Sequence, residues 1–268
     1  MEAPEGSLVT YTKHAAELRE AFANHAVSQF ETTVNEPRFA ALLPKTASIR
    51  RILDIGCGPA FPDYLRSIYP DAEILGIDIA PELLPEPRPD DPKARFAVWQ
   101  GPGLRHDEAR RFVQEHGGPF DLVVAKMMAH YVWLAVLDRD VATFRARGGY
   151  VAMSVPHPED SGRFVPRPDI PQHYTREIGN TGIEAQMIHR PLNSWDWSSL
   201  TTRLPDSYRA VIDEPATENG DKKRLNVLLR PATRTEKLGD ALLALVNKRL
   251  RRTHRVDLGA ARQDTIVS

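Results

Sequence analysis

Leu53-Asp54-Ile55-Gly56-Cys57-Gly58-Pro59-Ala60 is the most informative stretch of the chain. Just before it, Arg51-Ile52-Leu53-Asp54-Ile55 reads as a short apolar run, as a strand covered on both faces would. Gly56 and Gly58 follow that strand and precede a helix over 62–69, with Pro62 suited to a first helical turn. Lacking Cβ, these glycines allow a tight turn and let a ligand come close to backbone. Asp78 ends a second run, Glu73-Ile74-Leu75-Gly76-Ile77-Asp78. In a parallel sheet the two strand ends are neighbours at the carboxyl edge, where ligands bind. An acid there can accept both hydroxyl hydrogens of a ribose, so the pair predicts a nucleoside-containing cofactor.

Working outward, three further runs read as strands: Arg95-Phe96-Ala97-Val98-Trp99, Phe120-Asp121-Leu122-Val123-Val124-Ala125 and Gly149-Tyr150-Val151-Ala152-Met153-Ser154-Val155. Helices are expected over 62–69, 107–116 and 134–147. Strand alternating with helix means a parallel α/β sheet with helices on both faces. Later, 209–212 and 225–229 read as two successive strands joined by the polar loop Asn219-Gly220-Asp221-Lys222. That terminal hairpin brings the expected sheet to seven strands, mostly parallel, with an antiparallel member at its far edge. Amphipathic helices are expected over 14–30, with Leu18, Phe22 and Ala26 on one face, and from 235 to about 252; a further helix is read over 194–204. The chain has 22 prolines, about 8% against an average near 5%, crowded at 81–92 and 156–171. Both stretches should be irregular, because proline removes a backbone donor and disfavours helix before it.

The 268 residues fit one large domain with additions or two small ones. Segments are expected at 1–45 (N-terminal helical lid), 46–232 (main domain, with 157–193 as an inserted lid or substrate segment) and 233–268 (C-terminal helix and tail). Hydrophobic residues make up 41% and charged residues 26%, as in globular proteins. Lys and Arg number 35 against 36 Asp and Glu, a net charge of −1 that gives no support to a nucleic-acid partner. A single cysteine excludes an internal disulfide and fits a reducing compartment. No run approaches the roughly 20 apolar residues of a membrane span, and the N-terminus lacks a secretory pattern. The expectation is a soluble, cytoplasmic enzyme or binding domain with no membrane partner. The two terminal helices make a homo-oligomer an open expectation.

A dinucleotide fingerprint needs a third glycine at the helix start, where this chain has Phe61-Pro62. Asp54 also fits poorly beside a pyrophosphate and suits a cationic ligand. S-adenosylmethionine carries an ammonium and a sulfonium and no phosphate. Here the sequence resembles the class I S-adenosylmethionine-dependent methyltransferases of the small-molecule type, over roughly 11–231. The acid followed by glycine-x-glycine is met by Asp54, Gly56 and Gly58; Asp78 matches the ribose acid; 120–124 matches the fourth-strand motif; the hairpin matches the antiparallel seventh strand. Val27-Ser28-Gln29-Phe30, Glu36-Pro37 and Leu42-Leu43-Pro44 look like the segment preceding the first strand. The resemblance implies a Rossmann-like sheet. It implies S-adenosyl-L-methionine as cofactor, with a loop wrapping its methionine part and Asp54 orienting its amino group. It departs from the family pattern at Ala60, where a third glycine is common, at Gln100, where Asp is common, and in the proline-rich stretch replacing a helix.

Candidate cofactor-binding residues are therefore Asp54, Gly56, Cys57, Gly58, Asp78, Ile79, Gln100, Gly101 and Lys126. Cys57 as a thiol is read as a small filler in a tight turn rather than a nucleophile. His130, just past the fourth strand, is the candidate catalytic base, with packing or acceptor positioning as the competing reading. Tyr11, His14, Tyr131, His157, His189 and Trp195 are candidate substrate-lining residues; Trp195 and Trp197 serve equally as core. The basic cluster Lys248-Arg249 and Arg251-Arg252 reads as a solvated helix end. The function expected is methyl transfer to an O, N or C atom of a small molecule, in specialised biosynthesis. Three alternatives stand beside it. One is a protein of this fold that binds the cofactor and serves as a cyclase or interaction module. The others are an RNA methyltransferase and a nicotinamide oxidoreductase, the last disfavoured by Phe61 and the hairpin.

Overall fold

The computed structural model describes residues 12–26, 28–60, 63–99, 106–126, 143–157, 165–166, 174–177, 184–187, 208–218 and 224–238. Seven strands form one sheet in the order β3-β2-β1-β4-β5-β10-β9. They are β1 (Arg51–Ile55), β2 (Glu73–Asp78), β3 (Ala94–Val98), β4 (Phe120–Lys126), β5 (Arg145–Pro156), β9 (Tyr208–Asp213) and β10 (Arg224–Pro231). The first five run parallel, and β10 is antiparallel to both β5 and β9. The antiparallel strand thus lies one position in from the edge rather than at it, and the edge strand β9 shares the direction of β5. Three short strands, β6 (Val165–Pro166), β7 (Tyr174–Glu177) and β8 (Glu184–Met187), form a separate antiparallel sheet inside the expected lid segment. No helix among the described residues is long and apolar enough to cross a membrane.

Alternation along each strand separates two cores. Leu53, Ile55, Leu75, Ile77, Val123, Ala125, Val151, Met153, Leu225 and Val227 pack on one face, against Ala109, Phe112 and Val113 of the helix His106–Glu115. Ile52, Ile74, Leu122, Val124, Ala152 and Leu228 pack on the other. There they meet Phe39 of the helix Glu36–Leu42 and Leu65 of the helix Asp63–Ile68. Because both faces are covered, the strands read as continuous apolar runs in the sequence.

The N-terminal helix Ala15–Ala26 buries Ala15 and Leu18 against Ala80 and Leu83. It is followed by a π-helical turn, Glu31–Asn35, continuous with the helix Glu36–Leu42. The proline-rich connector has only a short 3₁₀ turn, Pro81–Leu83. Arginines hold it in place of helical hydrogen bonds. Arg19 donates to the carbonyls of Glu82 and Leu84 and to Glu86, Arg66 grips Asp91 with both nitrogens at 2.7 and 2.9 Å, and Arg88 bridges Asp63 and Asp90.

Two boundaries differ from the sequence reading. The helix expected over 134–147 does not extend to its end, because β5 begins at Arg145. Arg145 pairs with Phe120 and its guanidinium lies over the Tyr208 ring at 4.2 Å, so tertiary partners hold in a strand a segment whose composition carries no strand signal. The strand then bulges at Gly148, where φ is +78°. The C-terminal helix begins at residue 234 and is described to 238; the helix expected over 194–204 lies outside the described residues.

Leu122 has no exposed surface and sits in the centre of the second core. Leu122→Ala is expected to lower the free energy of unfolding by about 2–5 kcal/mol, read as a fall in the urea midpoint with little change in slope.

Candidate functional site

At the carboxyl edge, the face that holds the second core changes from apolar to polar. Ile52 is followed on that face by Asp54, Ile74 by Gly76 and Asp78, Val124 by Lys126, and Ala152 by Ser154; on antiparallel β10, Leu228 is preceded by Asn226 and Arg224. Register aligns them in rows: Asp54 opposite Gly76 and Val124, and Lys126 opposite Ser154, which faces Asn226.

The turn after β1 is tied to β2 by backbone and by Asp78. Gly56 and Cys57 both donate their N–H groups to the Ile77 carbonyl, at 2.8 and 3.1 Å. Gly56 and Gly58 adopt φ of +67° and +65°, in the left-handed region that glycine enters without strain. Asp78 accepts from the Gly58 N–H at 3.0 Å and from the Ile79 N–H at 2.8 Å, one bond to each carboxylate oxygen. A carboxylate offers about four acceptor positions, so two remain for a ligand's hydroxyls. A Cβ placed on Gly58 would meet no atom within 4 Å, so the bend has open space above it. Cys57 packs the other way: a Cβ on Gly76 would lie 3.0 Å from its sulfur and 2.8 Å from the Phe96 ring. Burial first, then Asp54 and Asp78, push the Cys57 thiol well above its usual range, which makes it an inert filler.

Asp54 is the electrostatic centre. Its residue surface is 4% exposed, and its carboxyl has no hydrogen-bond donor among the described residues. Burial raises its pKa to about 7, with Lys126 pulling down and Asp78 pushing up. Asp78 is also raised, to about 6, by burial against the opposing pull of the Gly58 and Ile79 N–H groups. Lys126 donates to Glu36 at 3.1 Å, lies 3.8 Å from Glu31 and sits over the Tyr64 ring at 5.2 Å. Glu31 in turn is 1% exposed and accepts from Arg224, itself 3% exposed, at 3.0 and 3.1 Å. Segment 28–43 therefore closes over this edge and matches the buried Arg224 and the half-buried Lys126 with Glu31 and Glu36. Among the described residues Asp54 and Asp78 are left without an ion-pair partner, and a ligand with a positive charge beside Asp54 would relieve the excess.

The structure brings Asp54, Gly56, Cys57, Gly58, Asp78, Ile79 and Lys126 to one edge. Ile79 offers its backbone there, while its side chain packs toward Leu18 and Leu83. Of the candidate substrate residues, His14 sits just before the N-terminal helix, 3.2 Å from Glu17. His157 is buried after β5, its Nε2 3.5 Å from Glu214. Gln100, Gly101, His130, Tyr11, Tyr131, His189 and Trp195 lie outside the described residues. Sequence reasoning did not find Glu31, Asn35, Glu36, Ser154, Arg224 or Asn226 as a group. The available signal was polar residues at alternate positions opening the last strand, Arg224-Leu225-Asn226-Val227, and Glu31 and Asn35 four apart. A broad groove lined by Lys45, Ile49, Arg50, Tyr69 and Glu73 lies at the opposite, amino end of β1 and β2, away from this chemistry.

The comparisons with known proteins agree with this architecture. No protein-family profile matches the chain. A curated relative, malonyl-[acyl-carrier protein] O-methyltransferase of Legionella pneumophila, is 31% identical over 121 residues, 43% of this chain and 40% of that protein. The chain thus matches well under half the length of that relative. The DhpI–SAH complex superposes with a TM-score of 0.56 at 14% identity, covering 86% of this chain and all of that one. A 1,6-didemethyltoxoflavin-N1-methyltransferase of Burkholderia thailandensis, with 1,6-didemethyltoxoflavin and S-adenosylhomocysteine bound, gives a TM-score of 0.52 at 14% identity, covering 87% of this chain and 94% of that one.

Both raised carboxyls bind protons more tightly in the folded than in the unfolded chain. Their contribution to folding stability is then fully present below the unfolded pKa, about 4, and is lost as pH rises through about 6 to 7. Asp54→Asn is expected to flatten that fall and to melt higher than the parent at pH 8; equal pH slopes for both proteins would refute the buried-charge assignment. In its sheet order, its antiparallel β10 and the acid-and-glycine bend after its first strand, the chain has the fold of the class I S-adenosylmethionine-dependent methyltransferases.

Proposed function

We propose that this protein is an S-adenosylmethionine-dependent methyltransferase acting on a small molecule, with an oxygen, nitrogen or carbon atom as acceptor, in specialised biosynthesis. The observation that carries the reading is Asp54, a buried carboxyl without a hydrogen-bond donor among the described residues, beside a glycine bend with open space above it. The residues fit the cofactor's chemistry. Asp54 suits an ammonium, the free acceptor positions of Asp78 suit the ribose hydroxyls, and the uncrowded face of Gly58 suits close approach of the ligand. Relatives support it: the curated one is named for O-methylation and one structural neighbour for N-methylation. The reading includes a cytoplasmic location and the segment roles above, with 1–45 and 157–193 closing over the acceptor. It also includes a homo-oligomer formed through the terminal helices.

The cofactor supplies an activated methyl group, so the chain's task is mainly to place the acceptor in line with it. Proximity and orientation can supply about 7–11 kcal/mol. Asp78 fixes the bend through Gly58 and would hold the ribose through its two free acceptor positions. Lys126, kept by Glu36 and Glu31, holds a positive charge near Asp54 and moderates its proton affinity. His130 is assigned the proton of a hydroxyl or amine acceptor, a contribution of about 10²–10⁴-fold for a weakly acidic group.

Equilibrium dialysis with radiolabelled S-adenosylmethionine tests the reading directly, and no retained ligand would refute it. Asp78→Ala is expected to weaken binding by about 1.5–3 kcal/mol, the loss of hydrogen bonds to a charged group; unchanged affinity by calorimetry would refute the ribose assignment. With an acceptor in hand, His130→Ala should lower turnover more than cofactor affinity, and an unaltered pH–rate profile would exclude it as base. Tight cofactor binding with no methylated product in an acceptor screen would instead favour a binding or cyclase role.

A further inference from the structure

Three buried polar atoms beneath segment 28–43 are without hydrogen-bond partners among the described residues: Asn35 Oδ1, Asn226 Nδ2 and Asn226 Oδ1. Both residues are fully buried. They are also adjacent. Asn35 Nδ2 donates to Glu31 Oε2 at 2.7 Å and to Ser154 Oγ at 3.3 Å, and Ser154 faces Asn226 across the β5–β10 pair. Directly opposed side chains in an antiparallel pair have Cβ atoms about 4.5–5.5 Å apart. Asn35, Ser154 and Asn226 therefore converge on one spot. A buried amide left without partners is costly, and here three such atoms sit together.

We propose that Asn35, Ser154 and Asn226 enclose a site for one water molecule, and that this water pins segment 28–43 to the sheet over the edge read above as the cofactor site. The hydrogen-bond count matches. A water lying in the plane of a primary amide accepts from its N–H and donates to its oxygen, which satisfies both ends of Asn226. Its second hydrogen is then directed to Asn35 Oδ1. Buried waters typically make about three such bonds. The pin is continuous with the charge pairs around Asp54. Asn35 holds Glu31, Glu31 holds Arg224, and Glu31 and Glu36 hold Lys126. Asn226 and Asn35 are thus positioning residues, acting on the cofactor through segment 28–43.

A crystal structure resolving ordered solvent tests the site without any variant. The expected result is a single peak about 2.7–3.2 Å from Asn226 Nδ2, Asn226 Oδ1 and Asn35 Oδ1. No peak there, or density for an ion or an organic group, overturns the assignment. Asn226→Leu tests the role, because it replaces the amide by an apolar group of similar shape. An unpartnered amide would make that change neutral or stabilising. The water site predicts a lower melting temperature and, well below it, S-adenosylmethionine release about tenfold faster by stopped flow, as for one net hydrogen bond lost. A melting temperature equal to or above the parent's, or an unchanged release rate, overturns the proposal. If the parent chain retains no S-adenosylmethionine, the cofactor reading and the role resting on it fail together, whereas the solvent peak still decides the water site.

Discussion

A carboxyl group buried at the end of β1 is the constraint around which this edge of the molecule is arranged. Asp54 is buried, has no donor among the described residues and has a raised proton affinity for that reason. Its backbone helps form the β1–β2 and β1–β4 pairings, so the group cannot turn away without disturbing the centre of the sheet. The neighbouring features answer to it. Lys126 moderates its charge from β4, Glu36 and Glu31 hold Lys126, and Arg224 completes Glu31. With Asp54 and Asp78 in excess over the cations among the described residues, the edge favours a cation as guest. That is the physical basis on which a sulfonium- and ammonium-bearing cofactor is proposed for this edge.

The bend after β1 shows how one carboxylate can serve structure and binding together. Asp78 spends one bond per oxygen on the Gly58 and Ile79 N–H groups. Those bonds fix the orientation of its carboxylate and hold the bend to β2, while leaving acceptor positions free. A helix between β2 and β3 is not needed to support this. The proline-rich connector has few backbone donors, so guanidinium groups from Arg19, Arg66 and Arg88 do the fastening, bonding to carbonyls and carboxylates along its length. Arg19 also attaches the N-terminal helix to residues 82–86, which follow Asp78 in the chain.

The strands and the site's core were legible because their signals are local. Strands β1, β2, β4 and β5, buried on both faces, produce continuous apolar runs, the half-exposed edge strand β3 a weaker one, and the spacing from Gly58 to Asp78 places bend and acid on adjacent strand ends. The start of β5 was not legible, since Arg145-Ala146-Arg147 carries no strand signature. Pairing with Phe120 and packing on Tyr208 hold it there. The position of β10 inside the edge was likewise not legible, since a hairpin's sequence does not say which of its strands meets the sheet.

By itself the sequence determined the α/β class, the acid-and-glycine bend, the second acid and the terminal hairpin, all set by composition and spacing over a few residues to a few tens. Tertiary structure alone decided the polar belt. Glu31 and Arg224 lie 193 residues apart and read individually as solvent-facing charges. Only chain folding removes both from water, and once there each is stable only because the other neutralises it. The same holds for Asn35, Ser154 and Asn226, whose meeting depends on a turn, a parallel strand and an antiparallel strand arriving at one place.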